Sequence, residues 1–429
     1  MTSQPPRPPD ALRRIVVVGA GLAATQTVGA LRERGFDGHL TVVGAEHLPP
    51  YDRPPLSKHL LDRPAPTFLA DELGIDVRSL ADDLRLGQPA RALRLEEDGV
   101  EILTTDGAPV RADAVVVATG ARARRVPGWE HALVLHTADD AAVLRDRLVP
   151  GTRLVIIGAG WIGAEVAGVA AVAGVHVTVL EAADAPLTGA LGADVGRLTG
   201  PWFETAGVRL VTDARVVRVD PDAVHLADGE RVAADVVLAA VGAVPATGWL
   251  AGTLPLDPDG SVRVDEGYAV LGADGSTADT APQWRVRAVG DVARRRSRRH
   301  GWVSGGHWDG ALRGPLDLAA ALVGDGDGPP AAEDPVPYVF STQLGHELTL
   351  FGTPAADDDV LLRGDPASGD GWSALWFRPG SDTLTAVFTT DRPRDVGGAR
   401  RLFAGAELPR LDRSLAADAD VALRAAHRT

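Results

Sequence analysis

The chain has 429 residues, no cysteine, a single methionine at its first position and a formal net charge of −15. These numbers exclude disulfides, cysteine-ligated iron–sulfur centres and thiol redox chemistry, and they argue against a broad surface for nucleic acid or an anionic membrane. A chain of this length has room for two or three domains, and its 49 glycines and 31 prolines suit a fold rich in tight turns.

Residues 1–11 are proline-rich and read as a disordered tail. Arg14–Val18 is a short β-branched run, the pattern of a fully buried parallel strand. It enters Gly19-Ala20-Gly21-Leu22-Ala23-Ala24, and a helical pattern follows over Thr25–Arg34. Strand, G-x-G-x-x-A and helix in that order form a dinucleotide fingerprint. Gly19 and Gly21 allow a tight turn and let backbone N–H groups approach a pyrophosphate at the helix start. The same glycine spacing explains Ile15–Ala24 better than a signal peptide does. A second strand, His39–Val43, leads to Gly44-Ala45-Glu46, where Glu46 is the candidate acid for ribose hydroxyls.

Next comes Tyr51-Asp52-Arg53-Pro54-Pro55-Leu56-Ser57-Lys58. Lys58 is the only lysine among 43 basic residues. A compact ammonium after a rigid Pro-Pro turn reads either as a point charge facing a bound group or as a surface residue spared by composition. The run Asp113–Ala121 contains a strand that ends in the small-residue turn Ala118-Thr119-Gly120.

The fingerprint then recurs. Arg153–Ile157 is a strand, Gly158-Ala159-Gly160-Trp161-Ile162-Gly163 is a full G-x-G-x-x-G, and a helix is expected over Ala164–Ala173. Glu165 interrupts the apolar run Leu154–Val175 and argues against a membrane span there. Val175–Leu180 is the next strand and ends at Glu181, about 20 residues past the glycines, where the motif expects its ribose acid. An acid at that point, with no arginine close behind it, favours NAD over NADP. Two units imply two dinucleotides. Asp235–Ala243 echoes the earlier strand and turn, ending at Gly242, and Arg287–Val289 leads into Gly290-Asp291.

Arg294–Arg299 is the one dense charge run. It reads as an electrostatic dock for an acidic protein or as a solvated loop. Gly324–Asp334 is a linker by composition. Beyond it, Pro337–Phe351 and Trp372–Thr389 read as antiparallel strands, Ala355–Asp359 and Pro366–Asp370 as loops, and Arg400–Phe403 and Asp418–Ala426 as helical.

Taken in order, Gly19–Ala24, Arg53–Lys58, Ala118–Gly120, Gly158–Glu165, Val241–Pro245 and Gly290-Asp291 resemble the FAD-dependent ferredoxin reductases that serve aromatic-ring dioxygenases and bacterial cytochromes P450. The resemblance runs from about Leu12 to Arg400, and the phrase around Lys58 is its most specific part. It implies FAD contacts at Gly19, Gly21, Ala23, Glu46, Arg53, Pro54, Lys58, Ala90, Ala118, Thr119, Gly120, His136, Asp291, His307 and Trp308. It implies NAD contacts at Gly158, Gly160, Trp161, Ile162, Gly163, Glu181 and, at the turn that closes the second unit, Gly242. Lys58 and Glu165 would pair beside the flavin, Asp291 would hold the ribityl chain, and Trp161 would cover the face where nicotinamide stacks.

Some positions depart from the family pattern. Ala45 stands where an acid is usual, and His136 where an arginine is usual. Gly306-His307-Trp308 replaces Glu-His-Trp, and Tyr338-Val339-Phe340-Ser341-Thr342-Gln343 replaces Trp-Phe-Trp-Ser-Asp-Gln. These changes bear on FAD affinity and the ferredoxin contact and leave the hydride path alone.

The expectation is an α/β protein of the disulfide-reductase-like arrangement, with two Rossmann-like domains and a C-terminal α+β domain. FAD would bind over 12–118 and 242–325, NAD over 119–241, and the interface domain would span 330–429. The expected activity is hydride transfer from NADH to FAD, then single-electron transfer to a 2Fe–2S ferredoxin. The protein would be cytoplasmic, a monomer or homodimer, without metal, nucleic-acid or membrane binding. Two alternatives stay open: a flavoenzyme acting directly on a small molecule or O₂, and a cofactor-binding switch resembling apoptosis-inducing factor.

Overall fold

Ile15–Val18 and Ala114–Val117 carry no polar side chain, and both are buried at the centre of a five-stranded parallel sheet. The order across it is Val286–Ala288, Ala114–Val117, Arg14–Val18, His39–Val43 and Asp83–Arg85. A parallel strand covered on both faces has no solvated side to reserve for polar residues, which is why these runs are continuously apolar. The helix Leu22–Glu33 packs against the helix Trp308–Val323 in the same unit. An antiparallel meander, Ala90–Glu96, Gly99–Thr104 and Val110–Ala112, completes the pattern.

The computed structural model describes residues 12–272, 285–324 and 334–428. The expected tail over 1–11 and nearly all of the expected linker lie outside the described residues. The chain divides into two units. The first takes in the residues up to Asp52, Thr67–Arg122 and Val244–Pro335; the second takes in Arg53–Pro66, Ala123–Ala243 and the residues from Val336 onward.

The second unit repeats the plan of the first. Its parallel sheet runs Arg209–Val211, His176–Leu180, Arg153–Ile157 and Val236–Ala239. Its meander is Val216–Asp220, Ala223–Leu226 and Arg231–Ala233. The C-terminal part is a five-stranded antiparallel sheet ordered Tyr338–Gln343, His346–Gly352, Leu384–Thr390, Trp372–Phe377 and Asp359–Arg363. Leu348, Leu350, Trp372, Trp376 and Phe388 share one apolar cluster with Leu187, Leu191, Val195 and Trp202, so within the second unit this sheet has a common core with the segment that follows the parallel strand His176–Leu180.

Both fingerprint helices begin three residues earlier than expected, at Leu22 and Trp161. The residues after the second glycine are already the first helical turn. The strand Asp359–Arg363 begins on the last residue of the expected loop, because the aspartates at 357–359 mask the short apolar run that follows them.

The helix expected over Asp418–Ala426 is confined to a 3-10 turn at Leu423–Ala426, with a separate short helix at Arg413–Ala417. The cause is Arg363, whose guanidinium takes the carbonyls of Ala416, Asp418, Ala419 and Val421. Carbonyls turned onto a buried arginine cannot accept the N–H groups of a continuing helix.

Over Arg294–Ser297 the arginine run is part of the paired strand Ala293–Ser297 and not a solvated loop. Arg294 pairs with Asp257, Arg295 and Arg299 with Asp334, and Arg296 with Glu266. Arg295 is 6% exposed. Most of the charge is therefore neutralised inside the unit.

Candidate active site

In the first unit, the opening glycine of the fingerprint is locked by a close backbone approach. Gly19 has φ +120°, and a Cβ there would lie 2.1 Å from the Ala118 carbonyl oxygen. Only glycine combines that dihedral with that approach. Gly19→Ala should destabilise this unit by roughly 1–3 kcal/mol and lower the flavin retained on purification, which absorbance and thermal unfolding would register.

Gly21, by contrast, faces open space: a Cβ there would meet nothing within 4 Å. It opens the helix Leu22–Glu33 with no side-chain cap, leaving the first N–H groups for an anion. Ala23 is buried, and a Cβ on Gly290 would come within 3.0 Å of its Cβ, so the Gly290-Asp291 turn sits against the start of that helix. Asp291 accepts the Gly306 N–H at 3.0 Å. Thr119 Oγ1 donates to the Ala246 carbonyl at 2.9 Å, and Gly120 has φ +66°.

Glu46 is engaged by its own loop, since the Tyr51 hydroxyl donates to Oε2 at 2.5 Å. Ala45 is exposed immediately before it. Trp308 Nε1 donates to Asp52 at 2.9 Å. His307 is the orphan of this group: its Nδ1 is buried with no hydrogen-bond partner among the described residues, and burial holds the imidazole below the usual histidine range. A buried, neutral, unpartnered ring nitrogen is what a site built for a further polar group leaves behind. Ala90 begins the meander strand Ala90–Glu96 and packs against the core cluster that includes Ala23 and Ala118.

In the second unit the fingerprint is built the same way. Gly158 has φ +106° with its would-be Cβ 2.5 Å from the Ala240 carbonyl oxygen, and a Cβ at Gly163 would lie 2.1 Å from the Gly158 carbonyl oxygen. Gly160 opens the uncapped helix Trp161–Val172 onto empty space. Gly242 has φ +93°, and its carbonyl accepts the Arg124 N–H at 3.0 Å. Glu181 stands at the strand end as expected. It accepts the N–H of Ala159 at 2.7 Å on one oxygen and that of Ala183 at 2.8 Å on the other. Ile162 is exposed, whereas Trp161 is half-buried and packs against the apolar cluster around Trp202 and Trp372.

Pro54 is the residue from which the short helix Pro55–Lys58 starts, and that helix carries Ser57 and Lys58 to Glu165. Arg53 donates to the His136 carbonyl at 2.6 Å, so His136 contributes its backbone here. Glu165 is 5% exposed. It accepts from Lys58 Nζ and Ser341 Oγ on Oε1, and from Ser57 Oγ at 2.5 Å on Oε2. Lys58 Nζ also lies 5.2 Å from the centre of the Phe340 ring.

The expected Lys58–Glu165 pair therefore forms, but not alone. Ser341 belongs to the C-terminal strand Tyr338–Gln343, the region expected to leave the hydride path untouched, and it bonds directly to Glu165. Ser57, Ser341 and Gln343 were missed as site residues. The available signal was that Ser and Gln are the two members of the altered C-terminal motif kept in place.

Residues 13–310 match the family described as pyridine nucleotide-disulphide oxidoreductase, and residues 338–427 match a reductase C-terminal family. The chain belongs to the pyridine nucleotide-disulphide oxidoreductase family. It is 34% identical, over 95% of its length and 98% of the relative's, to the ferredoxin–NAD(+) reductase component of an anthranilate 1,2-dioxygenase system from Burkholderia cepacia. It is 29% identical to putidaredoxin reductase of Pseudomonas putida, over 91% of each chain.

Among solved structures, the crystal structure of Fdr9 superposes with a TM-score of 0.84 at 40% identity, covering 96% of this chain and 99% of that one. The reductase in a covalent putidaredoxin reductase–putidaredoxin complex superposes with a TM-score of 0.81 at 27% identity, covering 96% and 97%. This member of the family is an oxidoreductase whose cofactors are FAD and NAD(H). The two open glycine cradles, the uncapped helix starts and the orphaned His307 nitrogen fit those groups. Among the described residues, no helix is long and apolar enough to cross a membrane.

Proposed function

We propose that this protein is an NADH-dependent ferredoxin reductase of the cytoplasm, feeding a small 2Fe–2S ferredoxin that serves an oxygenase or cytochrome P450. FAD, when bound, supplies the step from two electrons to one, accepting hydride from NADH and releasing electrons singly. The observation that carries the reading is the buried Lys58–Glu165 pair with its two serine donors, in a chain whose similar relatives are named for this activity. The lack of any cysteine removes the thiol-dependent branches of the family.

The residues divide the work by position. Gly19 and Gly21 expose the helix start that would hold the FAD pyrophosphate, with Asp291 on the ribityl chain and His307 Nδ1 offered to a polar cofactor atom. Gly158, Gly160 and Gly163 would do the same for NAD. Glu181 would accept from the ribose hydroxyls, using lone pairs left over from its two backbone bonds. Pro54 and Trp161 would flank the rings, and Lys58 would set a positive charge beside the flavin. Catalysis is then mainly orientation and fixed charge.

Glu181→Ala should lower the preference for NADH over NADPH about tenfold or more in kcat/KM, since a carboxylate repels a 2′-phosphate. An unaltered ratio would remove Glu181 from the ribose contact. The reading as a whole is tested by the visible spectrum of the purified protein before and after anaerobic NADH. A yellow protein that bleaches with NADH and reduces a 2Fe–2S ferredoxin supports it. Turnover with oxygen or a quinone and with no ferredoxin would favour the small-molecule alternative.

A further inference from the structure

Glu165 lies in a helix whose neighbouring Ala164, Val166 and Ala167 are at most 1% exposed. A carboxylate in such a place needs donors for its lone pairs, or its burial costs several kcal/mol. Three arrive, and they are divided unequally: Ser57 takes Oε2, while Lys58 and Ser341 share Oε1.

Ser341 and Gln343 alternate along their strand with the exposed Phe340 and Thr342, so both face inward at 1% and 2% exposure. Gln343 Nε2 donates to Ser341 Oγ at 3.0 Å and lies 3.5 Å from the Trp161 carbonyl. Since Ser341 Oγ accepts from Gln343, its one hydrogen is committed to Glu165. The direction of this chain of bonds is thus set from the C-terminal sheet.

We infer that Ser341 is a positioning residue for Lys58: oriented by Gln343, it shares Glu165 Oε1 with the ammonium and so fixes where that charge stands. The inference rests on the ferredoxin-reductase reading and extends it. Ser341 meets part of the demand of Oε1 for donors. Without it, the ammonium is the sole donor to that oxygen and is drawn closer. Placement on a strand of a packed sheet makes the arrangement tighter than a loop would.

The chain has one lysine, so lysine labelled with ¹³C at Cε gives a single side-chain resonance that reports on Lys58 directly. In the flavin-loaded protein, Ser341→Ala should displace that resonance. It should also slow flavin reduction at saturating NADH about tenfold, with NADH binding changed less than about twofold. Ser341→Thr, which keeps the hydroxyl, should restore both, and Gln343→Leu should reproduce the displacement if Ser341→Ala folds poorly.

An unmoved resonance in both Ser341→Ala and Gln343→Leu overturns the inference, whatever the rates. A threonine variant that behaves like alanine overturns it too. Wild-type protein whose bound flavin NADH does not reduce would defeat the proposed function itself, and this inference with it, before any variant is compared.

Discussion

Lys58→Met should slow reduction of the flavin by NADH by about a hundredfold while leaving the protein folded and yellow. The magnitude is that of removing one preorganised charged donor from a water-poor site, typically 10²–10³ in rate. Methionine keeps the length of the side chain and removes the charge. Glu165 would keep its two serine donors, which limits the structural cost of losing the ammonium. Lys58→Arg should not rescue the rate, because a planar fork cannot stand in for a compact ammonium at 13% side-chain exposure.

Glu165→Gln tests the same unit from the other side. If the pair acts as one device, the double variant should be little slower than Lys58→Met alone, since coupled groups are not additive. Stopped-flow absorbance of the flavin band measures all three. A Lys58→Met rate within about twofold of wild type would remove the lysine from the mechanism, whatever its burial.

The parts of this site that were legible in the sequence are those made by consecutive residues. Gly19-Ala20-Gly21 and Gly158-Ala159-Gly160 each join a strand to a helix, so the local pattern alone identifies the turn, the open helix start and the acid at Glu181. The parts that were not legible are made by residues far apart in the chain. Ser341 meets Glu165 across 176 positions, and nothing in the spacing of either residue announces the other.

Arg294–Arg299 fails for the same reason, in the opposite sense. A charge run looks solvent-facing until Asp257, Glu266 and Asp334 are brought to it by the fold. Composition registers the charges and cannot register their partners. Lys58 lies between these cases: its rarity marked it as unusual, but its pairing with Glu165 was supplied by resemblance and not by local pattern.

Arg363→Met should weaken the C-terminal sheet more than any surface change, by about 3–5 kcal/mol. Arg363 and Asp395 both have side chains at 0% exposure, and the guanidinium grips the carboxylate through Nε at 2.9 Å and a second nitrogen at 3.2 Å. Asp395 also accepts from Ser373 at 3.0 Å and from Arg392 at 2.7 Å. Removing Arg363 strands part of that carboxylate. It also releases the four carbonyls between Ala416 and Val421 that the arginine gathers.

Replacing both charges, as in Arg363→Met with Asp395→Leu, should recover only part of the loss. An apolar pair removes the buried charge but still leaves those carbonyls without their donor. The pH dependence has a defined sign. Burial pushes the Asp395 carboxyl up, but Arg363 and then Arg392 outweigh it and hold the group below its ordinary value. A carboxyl lowered by folding stabilises fully above its unfolded value of about 3.9, and that stability drains away as pH falls below it.

Wild-type protein should therefore lose stability more steeply below about pH 4 than Asp395→Asn, which starts weaker and lacks this group's titration. Denaturant midpoints followed by tryptophan fluorescence across that range would measure both slopes. Equal slopes would mean that the carboxylate is not held by its arginines in the way the geometry implies. An Arg363→Met midpoint close to wild type would mean that the four carbonyls have found other donors.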